Sequence, residues 1–142
     1  MSKIFILTAI IVATASINSF GQKNSDNRII VTLPDDTDIY SKVRMTFIDN
    51  DFIVKDNGNK DTLSTYPIDM NFVGGVVKLW AVISGNKVTF FGIFSLKKIN
   101  YFGMNYNTDE SSRIIYYSGS QSWKTMKGVA EKLGGQITYL KQ

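Results

Sequence analysis

The chain of 142 residues contains no cysteine and no histidine. Without cysteine there is no disulfide, thiolate nucleophile or iron–sulfur ligand, and no cysteine to carry an N-terminal lipid anchor. Without histidine there is no Ser–His–Asp triad, no imidazole ligand for a metal, and no side chain that ordinarily titrates near neutral pH. What remains is chemistry by carboxylate, lysine, tyrosine or serine. No acid–base constellation of these groups stands out, so we expect a protein that is not an enzyme and has no cofactor.

The first 21 residues have the organisation of a secretory signal peptide. Lys3 supplies the positive charge, residues 4–13 are apolar apart from one threonine, and Ser19 and Gly21 place small residues at positions −3 and −1 before Gln22. The apolar run is shorter than the ~20 residues that a membrane-spanning helix needs. We therefore predict cleavage after Gly21 and a periplasmic or secreted product that does not span the membrane.

Cleavage would leave about 121 residues, enough for one hydrophobic core without disulfides. Small secreted domains of eukaryotes commonly carry disulfides, so an exported chain without cysteine indicates a bacterial protein. Residues 22–27 are polar, which predicts a flexible N-terminal arm. Residues 28–142 contain no linker and no low-complexity run, which predicts a single domain.

The domain begins with a pattern of strand, helix and strand. Arg28–Leu33 is short and β-branched, which predicts a strand, and Pro34–Thr37 ends it and offers N-cap side chains. Apolar residues then recur at helical spacing up to Phe47, and Phe52–Val54 resumes as a strand. The apolar positions of this helix are Ile39, Tyr40, Val43 and Phe47, while Lys42, Thr46 and Asp49 are predicted to face away from the core.

The same order of elements closes the chain. Arg113–Tyr117 predicts a strand, Ser118–Ser120 a turn, and Gln136–Leu140 a final strand. Between them lies a helix that ends at Gly134-Gly135, because glycine adopts the C-cap conformation at little cost. The apolar stripe of this second helix comprises Trp123, Met126, Val129, Ala130 and Leu133.

The first helix has an alternative reading as a strand. Val43, Met45 and Phe47 alternate with polar residues, which is the period of an extended chain. We favour the helix because about fourteen residues lie between the capping signal and the next turn, more than most strands contain.

The middle of the chain is predicted to be antiparallel β-structure. Asp56–Asn59 predicts a hairpin, because Asn-Gly suits the positive φ angles of a type I′ turn. Ser84–Lys87 predicts a second hairpin that joins strands over Val76–Ile83 and Val88–Phe94. Two further segments follow, a strand over Ile99–Tyr106 and a polar loop over Asn107–Ser112.

These elements predict an α+β fold, a curved antiparallel sheet with two helices on one face in the order β-α-β-meander-β-α-β. The alternative is an all-β, lipocalin-like barrel with one C-terminal helix. One set of positions spans most of the predicted domain: Tyr40, Val43, Phe47, Phe52, Val54 and residues 61–65, with the closing helix and strand. In these positions the chain resembles, at the level of pattern, the helix-grip or TATA-binding-protein-like envelope domains of the β-barrel assembly lipoprotein C type. The resemblance implies this fold and a non-enzymatic envelope role, and it transfers no site.

Two motifs approach known catalytic signatures without matching them. Ser118–Thr125 lies where a phosphate-binding loop would, but Trp123 stands where glycine is needed before the lysine. We interpret it as a capped helix with Trp123 in the core. Ser95–Lys98 matches S-x-x-K, but it lies at the end of a predicted strand and the accompanying motifs are missing.

The carboxylates do not form a recognisable site either. The oxygens near Asp56 and Asp61 do not have the spacing of a calcium loop, and the hairpin accounts for them. The chain has only two glutamates, Glu110 in a loop and Glu131 on a helix, and no cleft joins them as a glycosidase pair. We expect no metal site.

Charge is distributed unevenly along the chain. Residues 22–77 carry six basic and nine acidic side chains, net −3, whereas residues 78–142 carry nine and three, net +6. Such a basic half predicts an envelope protein, an anionic lipid or an acidic glycan as the binding partner. Export disfavours nucleic acid as a partner. The alternative is a solvated helix face, partly balanced by a Lys127–Glu131 pair. The candidate interaction surface comprises Lys97, Lys98, Arg113, Lys124, Lys127 and Lys132.

Aromatic residues form a second unusual feature, at 13% of the chain. Phe90 and Phe91 are neighbours on a predicted strand, so they must point to opposite faces of the sheet. An aromatic second face would need a ligand, a partner or a groove, unless loops or the curvature of the sheet cover it. We therefore expect a non-catalytic domain that binds a protein or envelope component through its exposed sheet face or its basic helix. A lipocalin-like carrier of a small apolar ligand is the alternative.

Overall fold

The computed structural model describes residues 21–34, 38–70, 74–97, 100–101, 104–105 and 111–142. The predicted signal peptide lies, up to residue 20, outside the described residues, and so do Asp35–Thr37 of the capping segment, Lys98 and residues 107–110 of the predicted loop. None of the described helices is long and apolar enough to cross a membrane.

Two helices and ten strands make up the described part of the chain. The helices are α1 (Ile39–Ile48) and α2 (Gln121–Leu133). The strands are β1 (Arg28–Thr32), β2 (Val54–Lys55), β3 (Thr62–Thr65), β4 (Ile68–Met70), β5 (Gly75–Ser84), β6 (Lys87–Leu96), β7 (Asn100–Tyr101), β8 (Met104–Asn105), β9 (Ser111–Arg113) and β10 (Gln136–Leu140).

Eight of these strands form one antiparallel sheet in the order β10-β1-β6-β5-β3-β2, with β4 paired to β5 and β9 paired to β6. The predicted α+β class is confirmed. The sheet is open and uncurled, although a curved one was expected. A barrel needs every strand paired on both sides, but in the described sheet β10 and β2 are each paired on one side only. The barrel alternative therefore does not form.

The centre of the sheet is the long β5–β6 hairpin, ten residues on each strand, in register from Ser84↔Lys87 to Gly75↔Leu96. Gly85 takes φ 58° at the first position of its two-residue turn, a conformation that glycine adopts without steric cost. This hairpin is confirmed. The β2–β3 hairpin is confirmed as well, but Asn57 is not in the positive φ region that a type I′ turn requires, and only Gly58 is, at 67°.

Helix α1 confirms the helical reading of residues 39–47. Asp38 caps it, accepting a hydrogen bond from the backbone N–H of Ser41 at 3.2 Å. Its buried residues are Ile39, Val43, Thr46 and Phe47. The prediction that Thr46 faces away is wrong, because its hydroxyl donates to the carbonyl of Lys42 at 2.8 Å and is thereby satisfied inside the core.

Helix α2 follows its prediction at every apolar position, and Trp123, Met126, Val129, Ala130 and Leu133 are all buried. Ser120 is the N-cap, its hydroxyl accepting from the backbone N–H of Trp123 at 3.2 Å, and Gly134 ends the helix. The two helices contact each other, α2 contacts β1 and β6, and α1 contacts β5. Phe47 of α1 meets Phe90 of β6 edge-on at 5.9 Å. Both helices therefore cover the same face of the sheet.

Several boundaries in the second half differ from the prediction. The strand predicted over Arg113–Tyr117 is displaced to Ser111–Arg113. Ser111 and Ser112, which were predicted to be in a loop, therefore belong to a strand. Ile114 is buried instead, and its side chain occupies the space where a Cβ at Gly92 would lie. The predicted strand over Ile99–Tyr106 contains two short strands, β7 and β8, that pair with each other. Ile99, Phe102, Gly103 and Tyr106 lie outside the described residues.

Two segments of the first half also differ. Only Val54 of the predicted strand Phe52–Val54 joins a ladder, whereas Phe52 is buried against Phe47. Residues 22–27, predicted to be a flexible arm, are held by backbone hydrogen bonds, Ser25 N–H to Tyr116 and Asn27 N–H to Leu140. Buried backbone N–H groups need hydrogen-bond partners, and these two hydrogen bonds anchor the segment to the domain.

Candidate functional site on the open face of the sheet

The two faces of the sheet have different neighbours because successive residues of a strand point to opposite sides. One face packs against the helices. The other, which we call the open face, has no described helix packed on it. The registers assign its central positions to Ile30 of β1, Lys78, Trp80 and Val82 of β5, Thr89, Phe91 and Ile93 of β6, and Arg113 of β9. Most of these side chains are half-buried, so the face is shallow and partly apolar.

A ladder of stacked groups crosses the middle of the open face. Trp80 and Phe91 are cross-strand partners. Their rings are nearly parallel, with an angle of 2° between the ring planes and a distance of 5.6 Å between the ring centroids. The guanidinium carbon of Arg28 lies 4.6 Å from the centroid of Phe91. Strands β1 and β5 flank β6 on opposite sides, so Arg28 and Trp80 cover the two faces of the phenylalanine ring. The Nζ of Lys78 lies 4.6 Å from the centroid of the Trp80 ring, so a cation stands at each end of the aromatic pair.

The charged residues of the open face are almost all basic. Its only acidic residue on a described strand is Asp69 of β4, whose carboxylate is paired with Lys97 at 2.6 Å. Like charges held on one face repel each other and attract an anionic partner. The basic residues that the registers assign to this face are Arg28, Lys55, Lys78, Lys87 and Arg113.

A cavity of about 150 Å³ opens on this face between two of the arginines. Arg28 and Arg113 line it together with Trp80, Phe91 and Ile93, and Asn27 and Gly92 complete it. The Nε of Arg28 is buried and has no hydrogen-bond partner in the described structure. Two arginines therefore border one small cleft, and their guanidinium groups carry ten N–H donors between them.

The six residues of the predicted interaction surface do not share one face. Lys124, Lys127 and Lys132 lie on α2, in the layer that covers the other side of the sheet, and Lys127 is 3.5 Å from Glu131. Arg113 lies on the open face and lines the cleft. Lys97 is exposed and pairs with Asp69, while Lys98 lies outside the described residues.

The start of α2 has the capped geometry that the sequence predicted in place of a phosphate-binding loop. A cavity of about 320 Å³ lies there, lined by Ser118–Ser120, Trp123, Lys124 and Lys127 among others. The hydroxyl of Ser120 is engaged as the N-cap and Trp123 is 1% exposed, packed between Tyr116 and Tyr139. The segment thus serves to begin the helix and to anchor its first core residue.

The polar side chains of the loop between β2 and β3 are engaged in hydrogen bonds within the loop and to β3. The Asp56 carboxylate accepts from the N–H of Gly58 at 2.9 Å, and the Asn59 carbonyl oxygen accepts from the N–H of Asp61 at 2.8 Å. The Asn57 amide donates to Ser64 at 2.9 Å. Over the part of the chain that the structure describes, no three acidic side chains gather in a way that would hold a metal ion.

Comparison of the chain with protein-family models, with curated proteins and with solved structures finds no match. The resemblance to envelope domains of helix-grip type accordingly stays a prediction.

Sequence reasoning found Arg113 and predicted that one of Phe90 and Phe91 points away from the helices, but it missed Arg28, Lys55, Lys78 and Lys87. Their signal was present in part: Lys78 and Trp80 are two residues apart on one strand, as are Lys87, Thr89 and Phe91. Such spacing places residues on one face of their own strand. It does not say which other strands lie alongside, and Arg28 and Lys55 join the face only through pairing with β6 and β3.

Proposed function

We propose that this protein is a non-catalytic bacterial domain, exported by its N-terminal signal peptide, that binds an acidic surface of a partner protein through the open face. The observation that carries the proposal is the charge of that face. Five basic side chains from five strands surround a half-buried Trp–Phe pair, and the one described acidic residue among them is already paired. A cationic face with an apolar centre complements an acidic protein surface.

The composition of the face favours a protein over a glycan or a lipid surface. Both faces of the Phe91 ring are occupied, by Trp80 and Arg28, so this ring has no face left to stack on a sugar. Ile30, Val82 and Ile93 are half-buried, so they do not project far enough to insert between lipids. Tryptophan and arginine at the centre of a patch with apolar neighbours are instead typical of the core of protein–protein interfaces.

The proposal is tested by finding the partner and then reversing charge on one face at a time. A photo-crosslinking residue is placed at Thr89 on the open face or at Thr125 on α2, and the protein is irradiated in its native host. We expect the residue at position 89 to crosslink to an acidic protein. We expect no crosslink between that protein and the residue at position 125. That partner is then purified for measurements of affinity.

The affinity measurement uses two variants with the same change in net charge. Lys55→Glu with Lys78→Glu reverses two charges of the open face, and Lys124→Glu with Lys132→Glu reverses two on α2. We expect the open-face variant to bind at least about tenfold more weakly, the α2 variant to bind within about twofold of the parent, and the affinity to fall with salt. Equal loss in both variants, or greater loss in the α2 variant, would contradict the proposal and favour the basic helix.

Two other outcomes would also overturn it. Crosslinking to a glycan or a lipid would identify a different class of partner. Native mass spectrometry that finds an apolar small molecule retained by protein from its own host would favour the carrier alternative. We expect the native mass to equal that of the polypeptide alone.

A further inference from the structure

We infer that the cleft between Arg28 and Arg113 is a subsite for a single carboxylate on an aliphatic stem, the side chain of a glutamate in the acidic partner. The inference rests on the proposed function, since it specifies which chemical group the open face recognises. It stands on the geometry of the cleft, and none of the candidate residues that were predicted on α2 takes part.

Arg28 is held in position before any ligand arrives. Its guanidinium lies on the Phe91 ring, which is itself stacked on Trp80, so three groups from three adjacent strands support one another. An arginine side chain loses considerable rotamer entropy when it is ordered by a ligand. Here the stack has already ordered it, and preorganisation of this kind improves affinity without new contacts.

The charge of Arg28 is left without a counter-ion in the described structure. Its Nε is buried and unbonded, and no carboxylate of the described residues forms an ion pair with it or with Arg113. A partly desolvated cation without an anionic partner is electrostatically uncompensated. A carboxylate that enters the cleft would supply the missing charge and accept hydrogen bonds from guanidinium N–H groups in the planar geometry that arginine favours.

Asn27, the other polar side chain of the cleft, does not compete for the ligand. Its amide N–H donates to the main-chain oxygen of Gln142 at 2.7 Å, and its carbonyl oxygen accepts from the backbone N–H of Gln142 at 3.1 Å. Both ends of the amide are therefore engaged with Gln142, two residues after β10. The polar recognition in the cleft is left to the two arginines.

The walls of the cleft distinguish an acidic side chain from an inorganic anion. Trp80, Phe91 and Ile93 line the cleft beside the two arginines and provide apolar surface, and the volume of about 150 Å³ accommodates a side chain of the size of glutamate. The methylene groups of glutamate would bury against these walls. A free phosphate would leave them without a partner, so we expect phosphate to bind more weakly.

The chain contains three arginines, Arg28, Arg44 and Arg113, which allows a direct experiment with an internal control. Arg44 is exposed on α1, in the helix layer that covers the other side of the sheet. The side-chain Nε–H signals of the ¹⁵N-labelled protein are followed by NMR at constant ionic strength. The probes are N-acetylglutamate amide, its neutral isostere N-acetylglutamine amide, and inorganic phosphate.

We expect N-acetylglutamate amide to shift the Arg28 and Arg113 signals together and to saturate both with one dissociation constant, in the millimolar range on the order expected for so small a ligand. The Arg44 signal stays in place, and the glutamine isostere shifts none of the three. Failure to saturate the two signals, equal shifts of Arg44, or binding of phosphate as tight as that of the acid would overturn the inference.

Arg28→Lys keeps the positive charge but removes the planar donors and the stacking. We expect it to lower the affinity for N-acetylglutamate amide at least about tenfold, as measured from the Arg113 signal. Arg44→Lys should leave this affinity unchanged. Backbone amide spectra confirm that both variants remain folded. Undiminished binding to Arg28→Lys would show that charge alone suffices, and the subsite would be refuted.

The two proposals fail in different ways. If the partner binds the open face with the expected dependence on Lys55 and Lys78 but the acid does not enter the cleft, the subsite is wrong and the proposed function stands. If the acid saturates Arg28 and Arg113 but no acidic protein crosslinks to the open face, the proposed function is wrong.

Discussion

The helix-covered face and the open face of this sheet are built from alternating residues of the same strands, yet they have opposite character. On β6, Val88 and Phe90 are completely buried under the helices, while Thr89 and Phe91 beside them remain half-exposed. The covered face is mostly apolar, and none of the described strand residues on it is charged. The open face places cations around a single aromatic stack.

This difference separates stability from recognition. Burial on the covered face removes large apolar side chains from water, which is the dominant favourable term in folding. The open face contributes less burial and retains like charges next to one another, an arrangement that costs stability but provides specificity for an anion. A residue's direction on its strand, more than its type, therefore decides its role in this protein.

The sharpest test of the comparison uses the adjacent phenylalanines. Phe90→Ala removes a fully buried ring that packs edge-on against Phe47, and we expect a loss of ~3–5 kcal/mol in the free energy of unfolding. Phe91→Ala removes a half-exposed ring with its stacking on Trp80, and we expect a loss of ~1–2 kcal/mol. Urea denaturation measures both. Losses of equal size would mean that the open face is as much a part of the core as the covered one.

A second pair of variants tests how closely the covered face is packed. A Cβ at Gly92 would lie 2.6 Å from a methyl of Leu79, 2.8 Å from a methyl of Ile114 and 2.8 Å from the backbone oxygen of Lys78. We expect Gly92→Ala to destabilise the protein by ~1–3 kcal/mol through overpacking.

The matched control for this pair is Gly128→Ala within α2, where nothing lies within 4 Å of the added methyl. Alanine is the better helix former, so we expect this variant to gain ~0.5–1 kcal/mol. Thermal unfolding of both variants gives the sign directly. A neutral Gly92→Ala would show that Ile114 does not pack against the sheet as described.

The smallest expected loss of stability concerns the helix layer alone. Ser120→Ala removes the hydroxyl that accepts from the Trp123 N–H, and we expect a loss of ~1 kcal/mol of stability. Because Ser120 lies on the covered side, the affinity of the protein for N-acetylglutamate amide should not change. A parallel fall in that affinity would indicate that the two faces are coupled rather than independent.

The elements that local signals define were predicted closely. Every apolar position of α2 is buried, and the turn at Gly85 joins the two strands it was expected to join. Thr46 was misassigned because a threonine hydroxyl can bond to the preceding turn of its own helix and then be buried. The strand near Arg113 was placed too late, because the apolar, β-branched side chain of Ile114 has the pattern of a strand residue. The strand ends at Arg113, and Ile114 packs its side chain over Gly92 while its N–H donates to the Gly92 carbonyl at 3.0 Å.

The candidate site was predicted less well than any other part of the protein. The acidic first half of the chain supplies Arg28 and Lys55 to the open face, and the basic second half supplies the other cations. Net charge by segment therefore pointed to α2, whose lysines lie on the other side. Charge counted along the chain does not predict charge counted across a sheet.

By itself, the sequence determined the two helices, the caps of α2 and the places where the chain turns back in hairpins, because each depends on residues within about four positions of one another. The tertiary structure alone decided which strands lie side by side and hence which cations share a face. Strand pairing joins residues far apart in the chain, and its register follows from burying one face of every strand in a common core.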